Sequence, residues 1–328
     1  MAQRRITWIT IKLLLYLLAL SLLTHCDKTP PLEKVALQLQ WVHQGEFAWA
    51  YLAKEEGVFA EQGLDTTLVP GGPGIDQVEE LLAGRAQFIT LPAEALLKAR
   101  QAGKPLLAIV TLYQRNPTTF ISLKDSGITK PEDFVGKRGT FSTPAARAQL
   151  FAMLGKLGIS DPQISEQPYN YNYAGLLDGS IDFSDAYAVG GVLRLSSAGA
   201  VLNVIWPRDY GIHFYGPTLV TTEEFSRAHP DLTQRFVNAT LKGLEQTLAN
   251  PKLALAATMN YAKEQDRKLQ AAMIKISLPL IAPEDDYLGK IRGETLQEMN
   301  EILYEQKILS RPDLWKKAFN RNYFSKTE

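Results

Sequence analysis

Short strand patterns alternate with short helix patterns along this chain, and this alternation restricts its fold more than any other feature. The first series has strand patterns that are separated by helices of about nine residues and lie at 34–41, 64–69, 86–90 and 106–113. A short helix between two strands returns the chain to the same end of the sheet. The series therefore predicts an α/β domain built on a parallel sheet with helices on both faces.

The pattern restarts near residue 119, which predicts a second α/β unit. Its strand patterns lie at 119–123, 136–141, 181–186 and 201–206. A further strand follows at 218–221, and 223–324 is helical almost throughout. We therefore expect two lobes joined by two crossovers, a clamshell with its ligand in the cleft. The predicted division is lobe 1 from 34–118 and 217–328, and lobe 2 from 119–216.

Charge and cysteine content exclude several classes of function. The 328 residues contain 35 Lys and Arg and 35 Asp and Glu, so no excess positive charge is available for nucleic acid. One cysteine and four histidines leave no basis for a disulfide framework or a multi-cysteine metal site. No Ser/His/Asp order, His-x-x-x-His pair or carboxylate dyad stands out. We therefore predict no catalytic residues, no metal and no cofactor.

The N-terminus has the layout of a secretory signal peptide over 1–25, followed by a short tether over 26–33. Leu23 and Thr24 before Cys26 resemble a bacterial lipobox, which implies lipidation of Cys26 and anchoring to the cytoplasmic membrane as a lipoprotein. The alternative is an uncleaved membrane anchor. Both place the folded part on the periplasmic or cell-surface side. Removing the leader leaves 32 basic against 35 acidic residues, a slightly acidic mature domain.

Several segments carry a resemblance to a known family, and they lie at 39–65, 71–74, 126–134, 136–138, 177–182, 209–216 and 236–243. The chain resembles the solute-binding proteins of ABC importers with the sulfonate-binding/thiamine-pyrimidine-synthase-like domain. The resemblance implies a periplasmic-binding-protein-like type II clamshell. It also implies a monomer that delivers a small molecule to a permease and its ATPase. Within the family, the chain is most similar to binders of pyrimidine thiamine precursors and flavins.

Other functions remain open at this level. A sulfonate or nitrate binder would need cations in the cleft, for which Arg115, Arg147 and Arg208 are the candidates. A receptor that feeds a signalling partner is a further alternative. One branch of the family is a pyrimidine synthase with a Lys and a His four residues apart. Leu91 and Ala95 stand at those positions, so the resemblance favours a binding protein over an enzyme.

Candidate ligand-binding residues come from strand ends, helix starts and the second crossover, where open α/β sheets bind ligands. Aromatic side chains can stack on a planar ring, glycines allow close backbone approach, and helix starts and Asp185 can pair with polar ligand atoms. Packing explains Phe47 and capping explains Thr143 equally well. The candidates are Trp41, His43, Gln44, Phe47, Gly72, Thr90, Pro92, Ser142, Thr143, Asp185, Tyr187, Tyr210, His213 and Phe214.

Overall fold

The computed structural model describes residues 31–170, 172–283, 288–320 and 322–323. The predicted signal peptide and the Cys26 lipidation site lie outside the described residues. No helix within the described ranges is long and apolar enough to cross a membrane.

Ten strands form two sheets in the described part of the chain. They are β1 (Glu33–Gln38), β2 (Leu64–Val69), β3 (Phe88–Pro92), β4 (Leu106–Thr111), β5 (Thr118–Leu123), β6 (Arg138–Thr140), β7 (Ser165–Gln167), β8 (Phe183–Tyr187), β9 (Leu202–Ile205) and β10 (Pro217–Thr222).

Helices connect these strands and form most of the C-terminal third. They are α1 (Ala48–Glu55), α2 (Val58–Glu61), α3 (Gln77–Leu82), α4 (Ala93–Gln101), α5 (Pro144–Lys156), α6 (Ala174–Leu177), α7 (Leu193–Ser197), α8 (Glu223–Ala228), α9 (Pro230–Ala249), α10 (Pro251–Met259), α11 (Arg267–Ile281) and α12 (Gly293–Glu305). A π-helix spans Ala188–Val192, and 3-10 helices span Gly45–Phe47, Lys124–Ser126, Pro131–Phe134, Pro207–Tyr210 and Leu314–Lys317.

The first sheet has the strand order β2-β1-β3-β10-β4. β1 and β3 are parallel, as predicted, but β10 runs antiparallel to both β3 and β4. The strands β1, β3 and β4 of the predicted series therefore run in one direction, and β10, which lies outside that series, makes the sheet mixed. The strand β10 enters the sheet from the second crossover, not from a helix of its own lobe, and so it runs in the opposite direction.

The second sheet has the order β7-β6-β8-β5-β9, with β5 antiparallel to β8 and β9. The chain passes from the first sheet to the second between β4 and β5, and it returns between β9 and β10. Two sheets with two crossovers confirm the predicted architecture. The lobe boundaries at 118/119 and 216/217 stay a prediction.

Aromatic and small residues hold the helices on the first sheet. Phe236 of α9 stacks on Phe88 of β3 with ring centroids 3.9 Å apart. A Cβ atom on Gly243 of α9 would lie 2.6 Å from the Trp49 carbonyl oxygen, so glycine allows α9 to contact α1 closely. α12 packs on both α4 and α5, and its residues share one apolar cluster with strands of both sheets.

The C-terminal segment covers one edge of the first sheet. Ala108 of β4 bridges Phe319: the Ala108 N–H donates to the Ala318 carbonyl, and the Asn320 N–H donates to the Ala108 carbonyl. Their N···O distances are 2.9 and 3.0 Å. Without these contacts β4 would present unpaired backbone groups to solvent.

Candidate ligand-binding site

The ends of β1 and β3 are joined directly by a hydrogen bond. The backbone N–H of Gln40 donates to the Thr90 hydroxyl at 2.7 Å. The glycine loop after β2 lies against the same segment, because a Cβ atom on Gly71 would come within 2.3 Å of the Leu39 carbonyl oxygen. Gly72 has a φ of 144°, which side chains other than glycine rarely adopt. This edge of the first sheet is therefore built from backbone in close contact.

A buried carboxyl group, Glu46, lies in the 3-10 helix that follows. It is 4% exposed and accepts hydrogen bonds from the Gln40 and Gln44 side-chain amides at 2.7 and 2.8 Å. Burial raises its pKa to about 7, although both hydrogen bonds and the charge of Arg194 oppose this shift. Arg194 of α7 donates to the Gln44 side-chain oxygen at 2.9 Å. This contact links α7, which follows β8 of the second sheet, to the segment that follows β1 of the first sheet.

Asp185 forms the facing part of the site on β8. Its carboxyl oxygens accept hydrogen bonds from the Ser142 N–H at 2.6 Å and the Ser142 hydroxyl at 2.5 Å. The side chain is buried, and burial raises its pKa to about 6 despite these two bonds. The end of β8 and the loop before α5 are thus held together around a carboxyl group.

Tyr187 and Glu94 complete an acidic group at the strand ends. Burial raises the pKa of Tyr187, and the charges of the Glu94, Glu46 and Asp185 carboxyl groups raise it further. Burial also raises the pKa of Glu94, in the first turn of α4, to about 7. We call Gln40, Glu46, Glu94, Asp185 and Tyr187 the acidic site.

Three polar atoms of the acidic site are buried and have no hydrogen-bond partner. They are one oxygen of Glu94, the side-chain oxygen of Gln40 and the Tyr187 hydroxyl. An unpaired buried polar atom costs about 1 to 3 kcal/mol. A bound molecule with hydrogen-bond donors would remove that cost. Trp41 and Tyr187 are half-buried and pack against the same apolar cluster.

The structure brings seven predicted residues to the strand ends and helix starts of this region, namely Trp41, Gln44, Thr90, Pro92, Ser142, Asp185 and Tyr187. Gly72 lies in the loop against β1. Their role in binding stays a prediction. The Thr90 hydroxyl already accepts the Gln40 N–H, and Ser142 already donates to Asp185.

The other predicted residues have structural surroundings of their own. The His43 ring contacts the Tyr51 hydroxyl at 3.1 Å, and burial lowers the pKa of His43. Phe47 is buried in the core, and Thr143 caps α5 by accepting the Ala146 N–H. Tyr210 packs, half-buried, on the apolar cluster around α5 and α12. Exposed His213 and buried Phe214 line a different cavity.

Sequence reasoning missed Gln40, Glu46, Glu94 and Arg194. Acidic residues in the first turn of a helix that follows a strand end were the available signal for the two glutamates. Tyr173 has a left-handed backbone with a φ of 55°, and its hydroxyl would lie 2.5 Å from a Cβ atom on Gly191. Burial raises the pKa of Tyr173, to which the charge of Asp185 contributes. The Tyr173 hydroxyl therefore lies against Gly191, and the Asp185 carboxyl group is near enough to affect its pKa.

Comparison with protein-family models identifies the family to which the chain belongs. A family model described as NMT1/THI5 like matches residues 44–254, which is most of the chain. The chain belongs to the NMT1/THI5-like family. Among the described residues of this family member, no group of three or more His, Cys, Asp and Glu side chains is placed to hold a metal ion.

Relatives of this NMT1/THI5-like protein include named binding proteins. The riboflavin-binding protein RibY of Chloroflexus aurantiacus is 25% identical over 90% of this chain and 87% of its own. The formylaminopyrimidine-binding protein of Halalkalibacterium halodurans is 24% identical over 89% and 92%. The periplasmic aliphatic sulphonate binding protein SsuA of Escherichia coli aligns with a TM-score of 0.71 over 89% and 99%, at 15% identity. This last likeness confirms the periplasmic-binding-protein fold.

Proposed function

We propose that the protein is the extracytoplasmic solute-binding component of an ABC importer and that it binds a small heteroaromatic molecule at the acidic site. A pyrimidine thiamine precursor or a flavin is the ligand class that the relatives support, since two of them are named for such ligands. A permease and an ATPase are the proposed partners. The protein acts as a monomer that closes over its ligand.

The unpaired acceptor atoms of Gln40, Glu94 and Tyr187 carry this proposal. Amino, imide and hydroxyl groups of a heteroaromatic ligand donate hydrogen bonds that these atoms can accept, and Trp41 provides a ring for stacking. A ligand with hydrogen-bond donors fits these unpaired oxygen atoms better than an anion does, because an anion supplies only further acceptors.

The surroundings of the three candidate arginines argue against a sulfonate or nitrate in the same cleft. Arg147 donates to Glu166 at 2.7 Å and stacks on Phe151. Arg115 and Arg208 line a separate cavity. Arg194 is the cation that acts on Glu46, and it is already bonded to Gln44.

A synthase reaction has no support in the residues present. The two positions at which the resemblance requires an amine and an imidazole hold Leu91 and Ala95. Leu91 is buried, and both side chains belong to or pack on an apolar cluster. A hydrocarbon side chain cannot form a Schiff base, so we propose a binding protein without catalytic activity.

Ligand class can be tested by titration calorimetry and thermal shift with riboflavin, formylaminopyrimidine and a short alkanesulfonate. We expect a heteroaromatic compound to raise the unfolding midpoint and the sulfonate to leave it unchanged, because bound ligand stabilises the folded state. Stabilisation by the sulfonate alone would contradict the proposal.

Two variants test whether the ligand binds at the acidic site. Glu94→Gln and Tyr187→Phe remove an acceptor and a hydroxyl there, and each should weaken binding about tenfold, or about 1.4 kcal/mol. Glu305→Gln, an exposed position in α12, is the matched control and should bind normally. Equal affinity of all three variants would show that the ligand binds elsewhere.

Membrane attachment through Cys26 is a separate proposal that rests on the leader sequence. We expect mass spectrometry of the mature protein to show a lipid-modified N-terminal cysteine. Cys26→Ser should release the protein from the membrane fraction. An unmodified thiol at Cys26 in the mature protein would refute lipidation.

A further inference from the structure

A second cavity of about 550 Å³ lies where the two crossovers meet the start of α12. Its lining includes Arg115 and Asn116 from the first crossover, Arg208 and His213 from the second, and Thr295 from α12. None of the five acidic-site residues lines it. Its volume is in the range of small-molecule sites in proteins.

Two arginines, Arg115 and Arg208, line this cavity. Burial lowers the pKa of Arg208, and the positive charge of Arg115 lowers it further, which places the two guanidinium groups within electrostatic reach. The Nη1 atom of Arg208 is buried and has no hydrogen-bond partner. The Arg208 guanidinium lies over the Trp206 ring, 4.3 Å from its centroid, which fixes its orientation.

The acidic residues of the lining offset this positive charge only in part. Asp209 forms an ion pair with Arg208, with its carboxyl oxygen 3.6 Å from Nε, but the Asp209 side chain is 61% exposed and Nη1 of Arg208 has no partner. Glu298 is paired with Lys156 at 3.3 Å, and Glu294 is exposed. In the part of the chain that the structure describes, Arg115 makes no side-chain ion pair. Like charges held close together with a buried unpaired N–H are costly unless an anion joins them.

The start of α12 adds positive potential to the same cavity. The residue before the helix, Arg292, makes no side-chain cap, and the helix begins with Gly293. The Arg292 backbone N–H donates to the Tyr215 hydroxyl at 2.7 Å, which fixes this end of the helix beside the crossover. Free N–H groups at a helix start favour anions.

We propose that this cavity binds a small oxyanion of the phosphate class, held by Arg115 and Arg208. Guanidinium groups match the oxygens of a phosphate group by paired hydrogen bonds. The anion would contact both crossovers and the start of α12, the segments that join the two sheets. The same chemistry could come from inorganic phosphate or from the phosphoryl group of an organic phosphate. This proposal does not depend on the ligand of the acidic site.

Titration of the ligand-free full chain with inorganic phosphate tests the site, with potassium chloride at equal ionic strength as the reference. We expect saturable binding and a rise of the unfolding midpoint that chloride does not reproduce. Arg208→Gln and Arg115→Gln should each weaken phosphate binding at least tenfold. Arg85→Gln, which removes an exposed pair with Glu80, is the matched control and should leave it unchanged.

Equal phosphate affinity in all four proteins, or an equal effect of chloride, would overturn the proposal. Glycerol phosphate distinguishes the two sources: tighter binding than inorganic phosphate identifies a phosphomonoester, and weaker binding identifies the free ion. A titration of phosphate with riboflavin present separates the two sites. Competition between them would show that phosphate binds at the acidic site, which would also overturn the proposal.

Discussion

At the scale of single residues, the site is defined by carboxyl groups whose surroundings favour their protonated form. Burial raises the pKa of Glu46 and Glu94 to about 7 and that of Asp185 to about 6. Two of these groups are partly satisfied by amide or hydroxyl donors, whereas one oxygen of Glu94 has no partner. Glu94 is therefore the residue at which the free energy of unfolding should depend most clearly on pH.

The pKa of Glu94 rises from 4.5 in the unfolded chain to about 7 in the folded protein. The folded state therefore binds this proton more tightly, and its contribution to stability is lost as the pH rises through about 7. Relative to Glu94→Gln, the wild type should lose roughly 1 to 3 kcal/mol of unfolding free energy between pH 5 and pH 8. Urea denaturation at several pH values measures this difference. A difference that is constant with pH would contradict the shift.

Gly191 is a second position at which a single substitution should affect the candidate site. A Cβ atom there would lie 2.5 Å from the Tyr173 hydroxyl and 3.3 Å from the Ala186 Cβ. We expect Gly191→Ala to displace Tyr173, to lower the unfolding free energy by about 1 to 3 kcal/mol and to weaken ligand binding. Calorimetry and urea denaturation measure both effects.

Gly155 provides the control for this substitution. It lies inside α5 with no atom within 4 Å of an added Cβ, so Gly155→Ala should be neutral or stabilising by about 0.5 to 1 kcal/mol. Wild-type affinity in both glycine variants would exclude a role for Tyr173 at the acidic site.

At the scale of helices and strands, sequence patterns predicted which elements exist better than they predicted the direction in which each strand runs in its sheet. The strand over 64–69 has the predicted bounds, because apolar alternation and the glycines that follow it mark the segment. β7 was not predicted, since it consists of three polar or half-exposed residues. The antiparallel direction of β10 leaves no trace in its own pattern, because a strand's residues alternate in the same way in either direction.

The local sequence pattern also limits how much of the candidate site could be predicted. Asp185 and Tyr187 could be predicted because they lie at a strand end. Glu46 and Glu94 could not be separated from ordinary first-turn acids, whose usual role is to favour the helix dipole. The burial of Glu46 and Glu94 depends on segments that are distant from them in sequence, and the local sequence pattern does not report such contacts.

Thr143 tests whether the start of α5 serves the helix or the ligand. Its hydroxyl accepts the Ala146 N–H at 3.0 Å, and the side chain is exposed. Thr143→Ala should lower the unfolding free energy by about 1 kcal/mol, and Thr143→Ser should restore it. Ligand affinity should remain unchanged in both variants. A loss of affinity without a loss of stability would instead assign this hydroxyl to the ligand.

At the scale of the whole molecule, Arg194 adds polar contacts between the two halves beside the acidic site, where α11 also packs on α7 and on the π-helix. Arg194 of α7 donates to Gln44 at 2.9 Å and pairs with Glu264 at 3.3 Å. Gln44 follows β1 of the first sheet and Glu264 lies between α10 and α11, whereas α7 follows β8 of the second sheet. The contact thus favours the arrangement in which the two sheets are close.

Arg194→Ala should therefore weaken ligand binding about two- to fivefold, because an exposed ion pair contributes about 1 kcal/mol or less. Small-angle scattering of the ligand-free variant should show a larger radius of gyration than the wild type. Arg138→Ala is the matched control, since it removes a pair with Asp182 inside the second sheet. An equal effect of both variants would mean that Arg194 does not act on closure.

The position of β10 between β3 and β4 has a consequence for synthesis on the ribosome. The second sheet is complete once residue 205 has emerged, because β5 to β9 are continuous in the chain. The first sheet begins earlier but lacks its inner strand until residue 222, and its β4 edge stays uncovered until residue 320. The later-made lobe should therefore become protease-resistant on the nascent chain first, while the N-terminal strands wait for the end of translation.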